Sequence, residues 1–293
     1  MSTDTSSPES TAATAEKSAE ADAADPFFGF VIGLYAAALA APAVTVGVAL
    51  AVTTAAPVLL GAFLVVGVVA VGAGARIAGR RSLAVRLGES RWAWLAPQTG
   101  FAYLGGLLVA GDGPASGAVV GLSLLGALGA GLVGTGLVFA AHNRHAKAVL
   151  SESALCVEFS ARGPARDRKR VHWAVGALVL GGMVGLAASV ALELESARWL
   201  FHLLVAAGAG LVGVTTERTF AVADAGVRIG TPVHKRVRPW TSFESYSLTD
   251  DALVLHRDGW SMWGLRDVRR DPADVEDLAA VTAVLDEHLP RKE

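Results

Sequence analysis

The sequence predicts an α-helical transmembrane bundle of six spans followed by a small α+β cytoplasmic domain, an antiparallel sheet closed by a C-terminal helix. Three observations predict it. Of 293 residues, 53% are hydrophobic and only 18% are charged, against roughly a quarter charged in soluble domains. The charges are clustered, which leaves uncharged stretches long enough to cross a bilayer. From Glu217 onward the composition changes: residues 217–293 hold 14 acidic and 11 basic side chains, and apolar residues alternate with polar ones instead of running on.

Residues 1–26 carry six acids (Asp4, Glu9, Glu16, Glu20, Asp22, Asp25) against Lys17. Such a segment has too little apolar surface to bury, so a disordered acidic tail is expected. It is not a signal peptide, which would open with a basic segment. A spanning helix takes about 20 apolar residues, because the hydrocarbon core is about 30 Å thick and a helix rises about 1.5 Å per residue. Residues 27–75 are uncharged and too long for one helix. Val52-Thr53-Thr54-Ala55-Ala56-Pro57 divides them into spans 27–51 and 58–75, since proline opens helices well and interrupts them badly. The third span, 92–111, opens on Trp92 and Trp94 as interfacial anchors, and Pro97 and Gln98 shorten its apolar run. The fourth, 116–141, follows the loop Gly111-Asp112-Gly113-Pro114. The fifth and sixth, 172–192 and 197–216, are separated by Glu193, Glu195 and Ser196.

The basic residues fix the orientation, because Lys and Arg collect on the cytoplasmic side. Arg76, Arg80, Arg81, Arg86 and Arg91 lie between spans two and three. Arg144, Lys147, Arg162, Arg166, Arg168, Lys169 and Arg170 lie between spans four and five. The opposite connections hold no basic residue apart from Arg198. A multi-pass protein of the cell membrane with both termini in the cytoplasm is expected, its first partner the lipid bilayer. Helices in lipid associate where small residues let backbones approach. Candidate seams are Gly117 and Gly121, then Gly126, Ala130 and Gly134 in span four, and Gly181 and Gly185 in span five.

In residues 217–293 the pairs Phe220/Val222, Val227/Ile229, Leu253/Leu255 and Trp260/Met262, with the series Trp240, Phe243, Tyr246 and Leu248, are spaced like strands with one buried face. Turns fall at Asp224-Ala225-Gly226, Gly230-Thr231-Pro232, Thr249-Asp250-Asp251 and Arg257-Asp258-Gly259. A helix follows, with Asp271 as N-cap, Pro272 at its first position and an apolar stripe from Val275 to Leu285.

The run from Phe220 through Asp224-Ala225-Gly226 to Ile229, then Arg238-Pro239-Trp240, Phe243 and Tyr246, then Asp251 to Leu255, and the helix after Arg270-Asp271, resembles the PH-like domain of prokaryotic membrane proteins. There, transmembrane segments precede a strand with an aspartate-then-glycine turn, a proline-tryptophan strand, a further hairpin and a closing helix. A complete PH fold has seven strands, of which the alternation supplies five or more. The resemblance implies a binding or scaffolding module and no catalytic activity. The basic residues Lys235, Arg236 and Arg238, with His234 before them, are candidates to bind anionic lipid head groups or another membrane protein.

Upstream, Leu150 to Phe159 alternates like a strand, and Lys169-Arg170-Val171-His172-Trp173 echoes Lys235-Arg236-Val237-Arg238-Pro239-Trp240. An ordinary basic loop is the preferred reading of this segment over a strand added to the C-terminal sheet.

Catalytic signals are few. No Asp, Glu, Lys or Arg falls in the central part of any span, which argues against transport coupled to protons or sodium through buried carboxylates. His202 stands a few residues into span six. As an alternative reading, Gly113 to Leu122 resembles the nucleophile region of rhomboid intramembrane serine proteases, which would make Ser116 the nucleophile and His202 its base. Pro114 stands where that pattern has glycine. His142 and His145 have a spacing that could hold a metal on a helix, but without further ligands nearby they read as an interfacial cap. The single Cys156 permits no intramolecular disulfide. No cofactor and no nucleic-acid partner is expected, since nothing resembles a Walker loop, a dinucleotide fingerprint or a nucleic-acid module.

Overall fold

The computed structural model describes residues 25–78, 80–109, 113–151, 153–193, 198–213, 215–259 and 267–292. Nearly all of the acidic tail, Gly111-Asp112, Glu195-Ser196 and the Trp260/Met262 pair lie outside the described residues. In chain order the longer helices are α1 Pro26–Ala51, α2 Ala56–Ala78, α3 Arg81–Glu89, α4 Ser116–Ser151, α5 Ala165–Ala191, α6 Arg198–Val212 and α7 Leu278–His288. The strands are β1 Leu155–Ala161, β2 Arg218–Ala223, β3 Gly226–Gly230, β4 Lys235–Arg238, β5 Phe243–Leu248, β6 Leu253–Arg257 and β7 Val268–Arg270. Among the described residues four helices, α1, α2, α4 and α5, are long and apolar enough to cross a membrane. The chain divides into two compact units, Met1–Val149 with Val233–Arg236, and Leu150–Pro232 with Val237–Glu293.

In the first unit α1 and α2 form the expected hairpin. Asp25 caps α1 by accepting from the Phe28 amide at 3.0 Å, Pro26 opens it, and the turn occupies residues 52–55. The two backbones touch at Gly33 and Gly74, where a Cβ on Gly74 would stand 3.0 Å from the Gly33 nitrogen. Only glycine permits that approach. Pro42 inside α1 has no amide to donate, and nearby the Tyr103 hydroxyl donates to the Leu39 carbonyl.

The third expected span is not one helix. Arg91–Trp94, Leu95–Gln98, Thr99–Tyr103 and Leu104–Val109 are short pieces that alternate between 3₁₀ and α geometry. Pro97 withholds a donor, and Gly100, Gly105 and Gly106 weaken the helix. The pieces nevertheless run in one direction beside α4. Pro97 lies against Gly134, Gly100 against Ala127, Tyr103 against Gly126 and Gly106 against Ser123. As the segment advances, its partner on α4 retreats by about three helical turns, so the two are antiparallel. Tyr35 holds the near end by donating to the Ala96 carbonyl at 2.8 Å. Gly126 and Gly134 are thus true seams, whereas Gly117, Gly121 and Gly181 face open space. In the C-terminal half of α4 a core of Phe28, Ala84, Leu137, Ala140 and Ala141 joins α1, α3 and α4.

In the second unit α5 and α6 form a helical hairpin. Gly182 of α5 lies under Val205 and Phe201 of α6, Gly185 under the Phe201 ring, and Gly208 of α6 under Val179. At 15 residues, α6 is shorter than the expected sixth span.

The reading of residues 150–159 as a plain basic loop is overturned: β1 pairs antiparallel with β2, Phe159 opposite Phe220 and Ala161 opposite Arg218. The sheets have the orders β1-β2-β3-β4 and β5-β6-β7. Their shared core contains Phe220, Val227, Phe243, Tyr246, Leu253, Leu255, Val281 and Leu285. The closing helix begins later than Asp271. That residue caps a 3₁₀ turn, Pro272–Asp274, and α7 starts after Asp277, whose carboxylate accepts from the Ala280 amide at 2.9 Å. Two acidic caps compete in this stretch, and β7 holds the chain extended just before the first of them.

Candidate functional site

Lys235 and Arg236 belong to the first unit, in the segment Val233–Arg236, which meets α4 at Phe139, His142 and Asn143. Asn143 grips its backbone from both sides: the side-chain amide donates to the Val233 carbonyl at 2.9 Å, and its oxygen accepts from the Lys235 amide at 2.6 Å. A side chain here does what a neighbouring strand would do. His234 stacks on Phe139, with centroids 4.3 Å apart, and its Nε2 stands 3.0 Å from Nδ1 of the buried His142. One nitrogen of that pair donates and the other accepts, so the bond requires at least one neutral ring. Trp94 closes the group, edge-on to Phe139. Lys235 is exposed and Arg236 half-buried. Beside them the Arg144 guanidinium donates to Asp25, which holds the Asp25 carboxyl below its ordinary value.

In the second unit the two motifs that carried the resemblance meet. Gly226 has φ +136° and stands so close to the strand opposite that a Cβ would lie 2.8 Å from Pro239 Cα. The Trp240 indole donates to the Asp224 carbonyl at 3.0 Å and stacks on His288 of α7. The aspartate-glycine turn and the proline-tryptophan corner therefore form one lock, which explains structurally why those residue types stand there. Trp240, Phe243 and Tyr246 are core or corner residues, with no open cavity beside them among the described pockets.

A ring of charge surrounds the root of α5. Arg166 faces Asp251, Arg168 faces Asp271 (both 3.5 Å), Asp167 faces Arg269 at 3.7 Å, and Arg162 faces Glu217 at 3.5 Å. Each exposed pair contributes little stability. Together with the Arg162 amide donating to Asp274 at 2.9 Å, they fix where the helix leaves the sheets.

Tyr246 is fully buried and donates its hydroxyl to Asp286. Burial first, and then that carboxylate, push its phenol up to about 12 from an ordinary value near 10. The neutral phenol is the form the fold favours. The contribution is intact below pH 10 and is lost between about pH 10 and 12 as the unfolded chain releases the proton. Tyr246→Phe is expected to lower stability at neutral pH by about 1–3 kcal/mol, the value of a hydrogen bond to a charged group, and to remove this alkaline loss. Denaturant titrations of both proteins across that pH window check it; parallel curves would refute it. Arg270 lies over the Phe220 ring at 4.8 Å, and burial pushes its guanidinium down to about 10.

Of the other candidates, Ser116 is the first residue of α4 in the first unit, and His202 lies on α6 in the second. The His202 ring is exposed, and its Nδ1 donates to the Arg198 carbonyl of its own helix at 2.9 Å. Arg238 lies half-buried in β4. His145 packs against Gly88 of α3. Among the described residues no group of three or more His, Cys, Asp or Glu is placed to hold a metal ion. Sequence reasoning paired His142 with His145 on one helix and missed His234, which is 92 residues away in the loop before β4. No family model matches the chain, and neither a curated protein nor a solved structure matches it.

Proposed function

We propose that this chain is a six-span protein of the cell membrane whose cytoplasmic sheet domain is a PH-like binding or scaffolding module without catalytic activity. The observation that carries the reading is the pairing of β1 with β2 across the α5–α6 hairpin. Two paired strands share one side of a membrane, so the chain between them crosses an even number of times. With α5 long enough to span, the apolar α6 becomes the returning span despite its 15 residues. The same reasoning supports a third span: α3 lies beside the end of α4, and the broken segment runs antiparallel to α4 toward its start. Among the described residues β1 and β7 bring the strands to seven, the number a complete PH fold has, and a C-terminal helix follows them. The excess of arginine in the two long loops favours the cytoplasm as the side of the domain. Lys235 and Arg236, in the segment that Asn143 of α4 holds, suit contact with anionic head groups at about 1 kcal/mol per cation near the surface.

The lone Cys156, exposed on β1, supplies the test. Burial and the Asp224 carboxylate beside its sulfur raise its thiol above the ordinary value, so labelling will be slow at neutral pH. A membrane-impermeant maleimide is expected to modify it in inside-out vesicles and not in intact cells. Modification from the outside would refute the orientation. Hydrogen exchange in nanodiscs checks the binding role: slower exchange at 233–238 with anionic lipid supports it, and unchanged exchange overturns it.

A further inference from the structure

One face of α5 is built like an amphiphile. Ala165, Arg168, Lys169, His172, Trp173 and Gly176 line a single open groove of about 540 Å³. Their spacing follows the helical repeat, so they form one continuous stripe. Lys169, His172 and Trp173 are exposed, Trp173 by 73%. Below them Gly176 has no side chain, and nothing lies within 4 Å of where its Cβ would be. The same stripe continues as Leu180, Met183 and Val184, exposed by 66%, 58% and 67%. Cations and an aromatic anchor thus stand at one end, a bare channel follows, and an uncovered apolar track runs on from it.

We infer that this face of α5 holds an anionic phospholipid, its phosphate against Lys169, Arg168 and His172 and an acyl chain along Gly176 toward Leu180 and Val184. Charge and depth both point to that occupant. Arg168 is partly engaged with Asp271, so Lys169 supplies the cation with most freedom to meet the head group. Trp173 takes the interfacial position where aromatic side chains collect, with the apolar body of the ring toward the acyl chain. An apolar transmembrane helix of another protein would bring no anion to the lysine, whereas a phospholipid brings its phosphate to the depth at which the lysine stands.

The inference rests on α5 crossing the bilayer and not on the ligand of the sheet domain. The test uses the full chain purified in detergent with equal phosphatidylglycerol and phosphatidylcholine, with retained lipid counted by native mass spectrometry. The wild type is expected to retain phosphatidylglycerol preferentially. Lys169→Glu should cut that preference at least fivefold, and Gly176→Leu should reduce retention of both lipids. Lys292→Glu, at an exposed cation that does not line the groove, should leave the preference intact. Equal retention of the two lipids by the wild type overturns the site, as does a preference that Lys169→Glu leaves undiminished. Extraction of the protein from membranes by alkaline carbonate would instead refute the membrane reading. A carbonate-resistant protein without the preference refutes only the site.

Discussion

Phe220→Ala is expected to remove about 3–5 kcal/mol from the sheet domain. Phe220 is 0% exposed at the centre of β2, its ring is stacked on Phe159 of β1 at 5.1 Å, and Arg270 covers its other face at 4.8 Å. Truncation leaves a cavity between two strands that are not neighbours in sequence. It also strips the Arg270 guanidinium of the surface that shelters it, while leaving the charge in place. A domain's whole stability is about 5–15 kcal/mol, so the loss is a large fraction of it. Hydrogen exchange of the full chain provides the readout. Amides of β1, β2 and β3 should exchange faster by two or more orders of magnitude, with those of α1 and α2 little changed. Protection of β2 within tenfold of the wild type would mean that the Phe220 ring is not the joint between β1 and the rest.

Gly134→Leu is expected to displace the broken third segment. A Cβ at Gly134 would stand 2.8 Å from both Cα and N of Pro97, with backbone and no flexible side chain to give way. Overpacking of this kind costs about 1–3 kcal/mol, and here it acts on a segment already short of helical hydrogen bonds. Gly117→Leu is the matched control, on the same helix with open space around it, and should change stability by less than about 0.5 kcal/mol. Thermal unfolding in detergent compares them. Equal effects would show that the antiparallel seam along α4 does not hold the segment.

The contrast between these two glycines marks how far the sequence could be read. Small residues at seam spacing were visible on both halves of α4, but composition cannot say which half meets a partner. That depends on the path taken by residues 91–109, where Pro97 and the glycines defeat a helical reading. The α1–α2 turn was legible because it needs only an uncharged run too long for one helix and a proline to divide it. Charge alternation and turn residues likewise exposed the C-terminal sheet. β1 was legible only in part: its alternation was visible, but the basic loop was preferred, since its partner lies beyond a helical hairpin and no local pattern records that pairing. The bond between His142 and His234 escaped for the same reason: spacing rules compare residues on one element, and this contact joins a helix to a distant loop.

The insertion of α5 and α6 between β1 and β2 also sets a clock. Ser160 and Thr219, whose hydroxyls meet at 3.2 Å across the finished pair, are 59 residues apart in the chain. At about 5–20 residues per second of synthesis, β1 waits about 3–12 seconds for its neighbour. During that interval its edge is unsatisfied, open to any other nascent strand. The domain is therefore completed only after the whole helical hairpin has been synthesised, and β1 stays unpaired for as long as that takes.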